Sequence, residues 1–163
     1  MKDTTPYTKF QFACQPDCSV FAGKNISIRE FDVSAIKFII KFKVNLSADP
    51  FLLDPMLQTK ATSANPLIST TSAGCIPAGQ ITAYATLVLS SQYCMHAFSI
   101  LISKDVARLI CWDHAGAIIT TPIYYDRDPQ LYDFLIHYNN ASPQIRGYDT
   151  TIIKANVDEE QCA

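Results

Sequence analysis

Five side chains in three short groups of this sequence could act together on a metal ion or a phosphate. Asp17 stands at the start of an expected strand, Lys41 and Lys43 alternate along the next strand, and Gln80 and Tyr84 are four residues apart in the helix expected after it. Carboxylates hold hard divalent cations, which lower the pKa of a bound water, and a lysine can position that water and offset phosphate charge. These five residues form the candidate site.

The elements that must position these side chains follow from the apolar patterns. β-Branched and aromatic runs predict strands at 19–21, 36–44, 96–103, 106–113 and 117–125. Helical spacing predicts one helix over about 78–95 and a second over about 128–139, with Asp128 as its N-cap. Strands and helices in this order indicate an α/β (α+β) domain, in which helices flank a central mixed sheet.

The two lysines share one face of their strand. Lys41 and Lys43 alternate with Phe42, so they lie about 7 Å apart on the less apolar face. Such lysines are ordinarily solvated, and an aromatic residue such as Tyr84 on an amphipathic helix is ordinarily part of the core. In that interpretation the five residues have no common chemistry.

Composition limits the classes of protein to consider. The chain has 163 residues, a net charge of −2 and a pI near 5.8, which fits one domain without a general attraction to polyanions. We expect a flexible segment at 1–15, a single domain at 16–153 and an acidic tail at 154–163. No signal peptide or apolar run of about 20 residues is visible, so we expect an intracellular protein with no membrane partner.

The order of three motifs resembles a nuclease superfamily. Pro16-Asp17, Lys41-Phe42-Lys43 and the Gln-Ile-Thr-Ala-Tyr run at 80–84 are similar to PD-(D/E)xK nucleases, including the Gln-x-x-x-Tyr group of the RecB-like branch. The resemblance implies a nuclease-like core. It also implies that Asp17 is the first metal carboxylate, Lys43 the catalytic lysine and Gln80 a helix residue that reaches into the site.

Position 41 departs from that pattern. The superfamily implies a second carboxylate there, and this chain has Lys41. The replacement changes the local charge by two units, and like charges at about 4 Å repel by about 4 kcal/mol at an intermediate dielectric. We therefore expect no metal and no other cofactor. Glu30 or Asp32 could supply the missing acid only from a neighbouring position.

A second resemblance covers most of the chain, about 16–153. Its most distinctive string is Ala-Arg-Leu-Ile-Cys-Trp-Asp-His-Ala-Gly at 107–116, and the runs at 79–85, 96–102 and 146–151 accompany it. Together they resemble the region that precedes the catalytic core in the fungal-type protein kinase family. In that family the lysine strand usually carries an acid at the position of Lys41, so this departure also weakens a metal role.

The kinase resemblance implies an accessory function. The 163 residues contain no glycine-rich nucleotide loop, His-Arg-Asp catalytic loop or Asp-Phe-Gly triplet, so we expect no catalysis by this chain alone. A kinase core would follow in full-length relatives, and the domain would regulate it or recruit its substrate. The alternatives are a residual metal-dependent nuclease that uses Asp17, Lys43 and Gln80, and a phosphate- or nucleic-acid-binding module that uses Lys41 and Lys43.

Overall fold

The computed structural model describes residues 17–21, 33–44, 49–51, 69 and 71–152. The expected segments at 1–15 and 154–163 lie outside the described residues, as do Glu30 and Asp32. In chain order the elements are β1 (Cys18–Phe21), a 3₁₀ turn (Val33–Ala35), β2 (Ile36–Lys43), α1 (Ser72–Ser91), β3 (His96–Ser103), β4 (Val106–Asp113), β5 (Ala117–Ile119), β6 (Ile123–Tyr124) and α2 (Gln130–Asn140).

The strands form one mixed sheet in the order β1-β2-β3-β4-β5, and β6 also pairs with β4. Strands β2 and β3 are parallel, while the other neighbouring strands are antiparallel. Parallel strands need a long crossover connection, and α1 lies in the connection between β2 and β3. The α/β arrangement predicted from the sequence, a mixed sheet with flanking helices, is confirmed.

Helix α1 covers one face of the sheet with two apolar clusters. Tyr84 packs in the first, with Ile39 of β2, and Ile81 packs in the second, with Leu101 of β3 and Trp112 of β4. The core position expected for Tyr84 is therefore observed, and its exposed fraction is only 5%. Because β2 and β3 present alternate residues to this helix, Lys41 and Lys43 face it as well.

Helix α2 packs against the opposite face through aromatic rings. Tyr138 contacts Phe38 edge-on, with ring centroids 5.2 Å apart, and also contacts Phe98 at 5.7 Å. Its hydroxyl donates a 3.0 Å hydrogen bond to the carbonyl of Lys37. Burial raises the pKa of Tyr138 to about 12. Leu135 of the same helix is 38% exposed.

Helix α1 begins six residues earlier than the sequence analysis predicted. The helix was predicted to begin after Pro77, whereas it begins at Ser72 and includes Pro77. The side chain of Thr71 accepts a 3.3 Å hydrogen bond from the amide of Gly74, which caps the first turn. A proline removes one intrahelical hydrogen bond, and the burial of Pro77 against the fold offsets that loss.

Two predictions in the C-terminal half were wrong in detail. The strand expected over 117–125 is interrupted between β5 and β6, where the pairing with β4 shifts by one residue next to Pro122, which cannot donate a hydrogen bond to a ladder. Asp128 does not cap α2, because its carboxylate accepts the amide of Tyr124 instead and the helix begins at Gln130. By contrast, β3 and β4 have the bounds that were predicted.

The turn after α2 returns to the start of β3. Gly147 has a φ of +105°, and a Cβ at this position would lie 1.9 Å from the carbonyl oxygen of His96. The amide of Met95 donates a 2.8 Å hydrogen bond to the carbonyl of Gly147. This close approach requires glycine.

None of the described helices is long and apolar enough to cross a membrane.

Candidate functional site

The centre of the candidate site is an ion pair between Asp17 and Lys41. In the antiparallel pairing of β1 with β2, Cys18 lies opposite Ile40, which brings Asp17 beside Lys41. The Lys41 ammonium lies 2.9 Å from Oδ1 of Asp17. The other carboxylate oxygen, Oδ2, accepts a 2.7 Å hydrogen bond from the amide of Phe42. Both carboxylate oxygens therefore have partners within the protein.

Lys41 is buried, contrary to the solvated face expected from the sequence. Its exposed fraction is 6%, and its ammonium lies 5.7 Å from the centroid of the Tyr84 ring. The crossover helix α1 covers this face of β2, so a charge there needs a partner, and Asp17 supplies it. The electron-rich ring of Tyr84 adds a cation–π attraction. Asp17, Lys41 and Tyr84 thus lie together, and the charge at position 41 is neutralised locally.

Lys43 lies next to this pair and is less buried. Burial, followed by repulsion from Lys41, lowers the pKa of Lys43, while the charge of Asp17 raises it. In the parallel pairing of β2 with β3, Lys43 is aligned with Ser103, which is 2% exposed. The Ser103 hydroxyl has no hydrogen-bond partner among the described residues. Lys43 is accordingly the more accessible of the two site cations.

Gln80 lies on α1 one turn before Tyr84. Its Oε1 atom is buried and has no hydrogen-bond partner within the described ranges. A buried carbonyl oxygen without a partner costs about 1–3 kcal/mol, so Gln80 is held at a cost to stability. Its position one turn along the helix is consistent with the motif order. No hydrogen bond connects its Oε1 atom to the Lys41–Asp17 pair.

The geometry favours an internal ion pair over a metal centre. Among the described residues, no three His, Cys, Asp or Glu side chains are grouped so that they could hold a metal ion. A divalent cation needs several free oxygen ligands, and both oxygens of Asp17 already accept hydrogen bonds from Lys41 and Phe42. In the nuclease pattern a metal ion would bind beside Asp17. Here the Lys41 ammonium lies beside Asp17 instead.

Sequence reasoning missed a second buried ion pair on the same face of the sheet. Arg108, opposite Leu101 of β3, lies 2.7 Å from a carboxylate oxygen of Asp49. It also donates hydrogen bonds to the carbonyls of Phe51 at 2.8 Å and Thr120 at 3.1 Å. Arg108 lies in the distinctive string at 107–116, but nothing in the residue spacing connects it to residue 49.

The tryptophan of that string also has a structural role. Trp112 is 9% exposed, and its indole N–H donates a 2.7 Å hydrogen bond to the hydroxyl of Ser99 on β3. In the turn after β4, the Asp113 carboxylate accepts the amides of Ala115 and Gly116, both at 2.7 Å. The 107–116 string therefore contains most of β4, the turn between β4 and β5, and the arginine that attaches the 49–51 segment.

A separate cavity of about 550 Å³ lies at the other end of the sheet. It is bordered by the end of α1, by the β4–β5 turn and by Ile152, and its wall includes Tyr93, Met95 and Asp149. Met95 precedes β3, whereas Ser103 ends that strand, so the cavity and the lysine pair lie at opposite ends of β3. None of the five candidate residues contributes to this cavity.

Comparison with known proteins adds no relative to this picture. The chain matches no protein-family model, no curated protein and no solved structure.

Proposed function

We propose that this chain is a non-catalytic accessory domain of a fungal-type protein kinase-like protein, built on a nuclease-like core. In this proposal it regulates an attached kinase core or recruits that kinase's substrate. The observation that carries the non-catalytic assignment is the ion pair between Lys41 and Asp17. The domain is then a pseudoenzyme, in which a lysine side chain replaces a bound cation.

The ion pair supports this proposal through charge and geometry. A metal-dependent hydrolase needs carboxylate oxygens that are free to hold the ion that activates water. Here the Lys41 ammonium is buried and lies 2.9 Å from Asp17, whose side chain is 35% exposed. Adding a divalent cation would displace this ammonium or place two like charges in one small volume. The local chemistry therefore favours a stable fold over hydrolysis.

The kinase part of the proposal rests on the sequence resemblance over about 16–153. Its most distinctive string, at 107–116, contains Arg108 and Trp112, which are both buried and hydrogen-bonded. Their contacts join β4 to β3 and to the 49–51 segment. This supports the view that the resemblance reports a shared accessory domain, and sequencing the transcript past Ala163 will test whether kinase motifs follow.

Metal binding separates the accessory domain from the residual nuclease. We expect no Mg²⁺ or Mn²⁺ binding by the wild-type protein at millimolar concentration in calorimetry, and no cleavage of single-stranded or duplex DNA. Lys41→Glu restores an acid beside Asp17 and should gain Mn²⁺ binding. Lys37→Glu makes the same charge change on the same face of the same strand, but four residues and about 13 Å away from Lys41, and should gain none.

The other outcomes assign the alternatives. Metal-dependent cleavage by the wild-type protein that disappears in Asp17→Ala would establish the nuclease and refute the accessory domain. Retardation of DNA at low salt that Lys41→Glu weakens, with a shallow salt dependence from few phosphate contacts, would establish the binding module. If the wild-type protein neither binds metal nor cleaves or retards DNA, while Lys41→Glu binds Mn²⁺, the result supports a nuclease-like site that Lys41 has inactivated.

A further inference from the structure

The cavity at the end of α1 combines apolar walls with negative charge. Its volume of about 550 Å³ lies within the range of pockets that hold small ligands or a few side chains of a partner. Leu89 and Met95 contribute apolar surface, and Asp113 and Asp149 both border the cavity. No lysine or arginine is among the residues that border it. An occupant that complements this cavity is therefore a cation with an apolar part.

Each of the two carboxylates has one oxygen that the fold does not use. Oδ1 of Asp113 accepts the amides of Ala115 and Gly116, and Oδ1 of Asp149 accepts the amide and the hydroxyl of Thr151. Within the described part of the chain, neither Oδ2 atom accepts a hydrogen bond and neither carboxylate forms an ion pair. The hydrogen bonds from Thr151 lower the pKa of Asp149, so this carboxylate is ionised at neutral pH.

Gln92 adds a neutral acceptor to the same cavity. Its amide nitrogen donates hydrogen bonds to the carbonyls of Val33 at 2.9 Å and Ile36 at 2.7 Å. These two acceptors fix the orientation of the amide group, so Oε1 is left as an acceptor. Gln92 borders the cavity together with the two carboxylates. The side-chain oxygens that remain for a ligand are acceptors, which favours a ligand with several donors.

A short antiparallel ladder beside the cavity holds two large apolar side chains in solvent. The amide of Asp149 donates to the carbonyl of Tyr93 at 2.9 Å, and the amide of Met95 donates to the carbonyl of Gly147 at 2.8 Å. Cys94 between them is buried, whereas Tyr93 is 69% exposed and Met95 is 67% exposed. Gly147, opposite Met95, has no side chain to cover it. Exposed apolar groups next to a cavity are typical of a surface that binds a partner.

We propose that this cavity binds an arginine side chain of a peptide, whose guanidinium pairs with Asp113 and Asp149. This inference is independent of the accessory function proposed above, because none of the five candidate residues borders the cavity. A guanidinium presents five donors in one plane and keeps its charge, so it can bond to several oxygens at once. A neighbouring apolar side chain of the peptide covers Tyr93 and Met95, which a free guanidinium compound would leave exposed.

Titration of the isotopically labelled full chain, followed by NMR spectroscopy, tests the chemistry of the occupant. We expect the peptide acetyl-Leu-Arg-Leu-amide to bind with a Kd on the order of 0.1–1 mM and to shift the amide signals of Tyr93, Met95 and Asp149. The same peptide with citrulline in place of arginine keeps the shape without the charge, and should bind at least about tenfold more weakly. Agmatine, a guanidinium without the peptide, should also bind at least about tenfold more weakly.

Two variants of the protein test the carboxylates. Asp113→Asn and Asp149→Asn keep the Oδ1 acceptor that each turn needs and remove the charge, so each should raise the Kd of the peptide about fivefold. Asp133→Asn makes the same change at an exposed position on α2, outside the cavity, and should leave the Kd unchanged. Circular dichroism checks that all three variants are folded.

Four results would overturn the proposal. The first is a wild-type protein that does not bind the arginine peptide at about 10 mM. The second is equal affinity for the citrulline peptide, which would remove the role of charge. The third is equal affinity for agmatine, which would assign the cavity to a small guanidinium compound. The fourth is binding by Asp113→Asn and Asp149→Asn that is as tight as binding by Asp133→Asn.

Discussion

Two cationic side chains, Arg108 and Lys41, are buried on the face of the sheet that α1 covers, and their surroundings differ. Arg108 pairs with an Asp49 side chain that is 12% exposed, and it also donates to two backbone carbonyls. Lys41 pairs with an Asp17 side chain that is 35% exposed, and its other contact is the ring of Tyr84. The arginine is held by a network, whereas the lysine is held by one partner at the margin of the site.

The difference reflects the hydrogen-bonding geometry of the two side chains. The planar guanidinium of Arg108 provides several donors in fixed directions, which suits a junction between β4 and the 49–51 segment. The ammonium of Lys41 is a compact charge that pairs with one carboxylate, Asp17. Arg108 therefore joins two segments of the fold, whereas Lys41 neutralises a single carboxylate.

The largest expected effect is the removal of Arg108. Arg108→Met leaves the Asp49 carboxylate and two carbonyls without their donor, which should lower the free energy of unfolding by about 3–5 kcal/mol. Urea denaturation followed by circular dichroism measures this change. Asp49→Asn in the Arg108→Met background should recover part of the loss, since it removes the uncompensated charge. A loss below about 1 kcal/mol would contradict the network role.

Removal of Lys41 should cost less and would sharpen the comparison. In Lys41→Met the Asp17 carboxylate remains partly hydrated, so we expect the free energy of unfolding to fall by about 1–2 kcal/mol. A double-mutant cycle with Asp17→Asn should give a coupling energy smaller than the cycle for Arg108 and Asp49. Equal coupling energies would show that the two pairs contribute equally to the free energy of unfolding.

The smallest effect is expected at Lys43, with the opposite sign. Its pKa is lowered from 10.5 by burial and by Lys41, so the charged form opposes folding. Lys43→Met should leave the free energy of unfolding unchanged or raise it by up to about 0.5 kcal/mol at neutral pH. Because the wild-type penalty is relieved as the pH rises from the lowered pKa toward 10.5, the difference should shrink over that range.

A pH series of urea denaturations on both proteins measures this difference. A destabilised Lys43→Met variant at neutral pH would mean that Lys43 has a stabilising partner, and it would remove the distinction drawn between the two lysines of β2.

The residue pattern was sufficient to predict the strands whose residues and connecting turn are adjacent in the sequence. Strands β3 and β4 have the predicted bounds, because β-branched runs flank a short turn and each residue's preference agrees with its neighbours. The predicted start of α1 was wrong, because Pro77 is a strong local signal against a helix interior, whereas the structure buries Pro77 within the helix and begins the helix after the Thr71 cap.

What the sequence by itself determined is therefore the α/β class and the bounds of the β3–β4 hairpin. Tertiary structure decided that Lys41 is buried, because the crossover helix covers a face whose pattern alone indicates solvent. It also decided the pairing of Arg108 with Asp49, which are 59 residues apart. Period-2 alternation fixes which side of a strand a residue faces, but only the packing of distant elements fixes whether that side meets water or a helix.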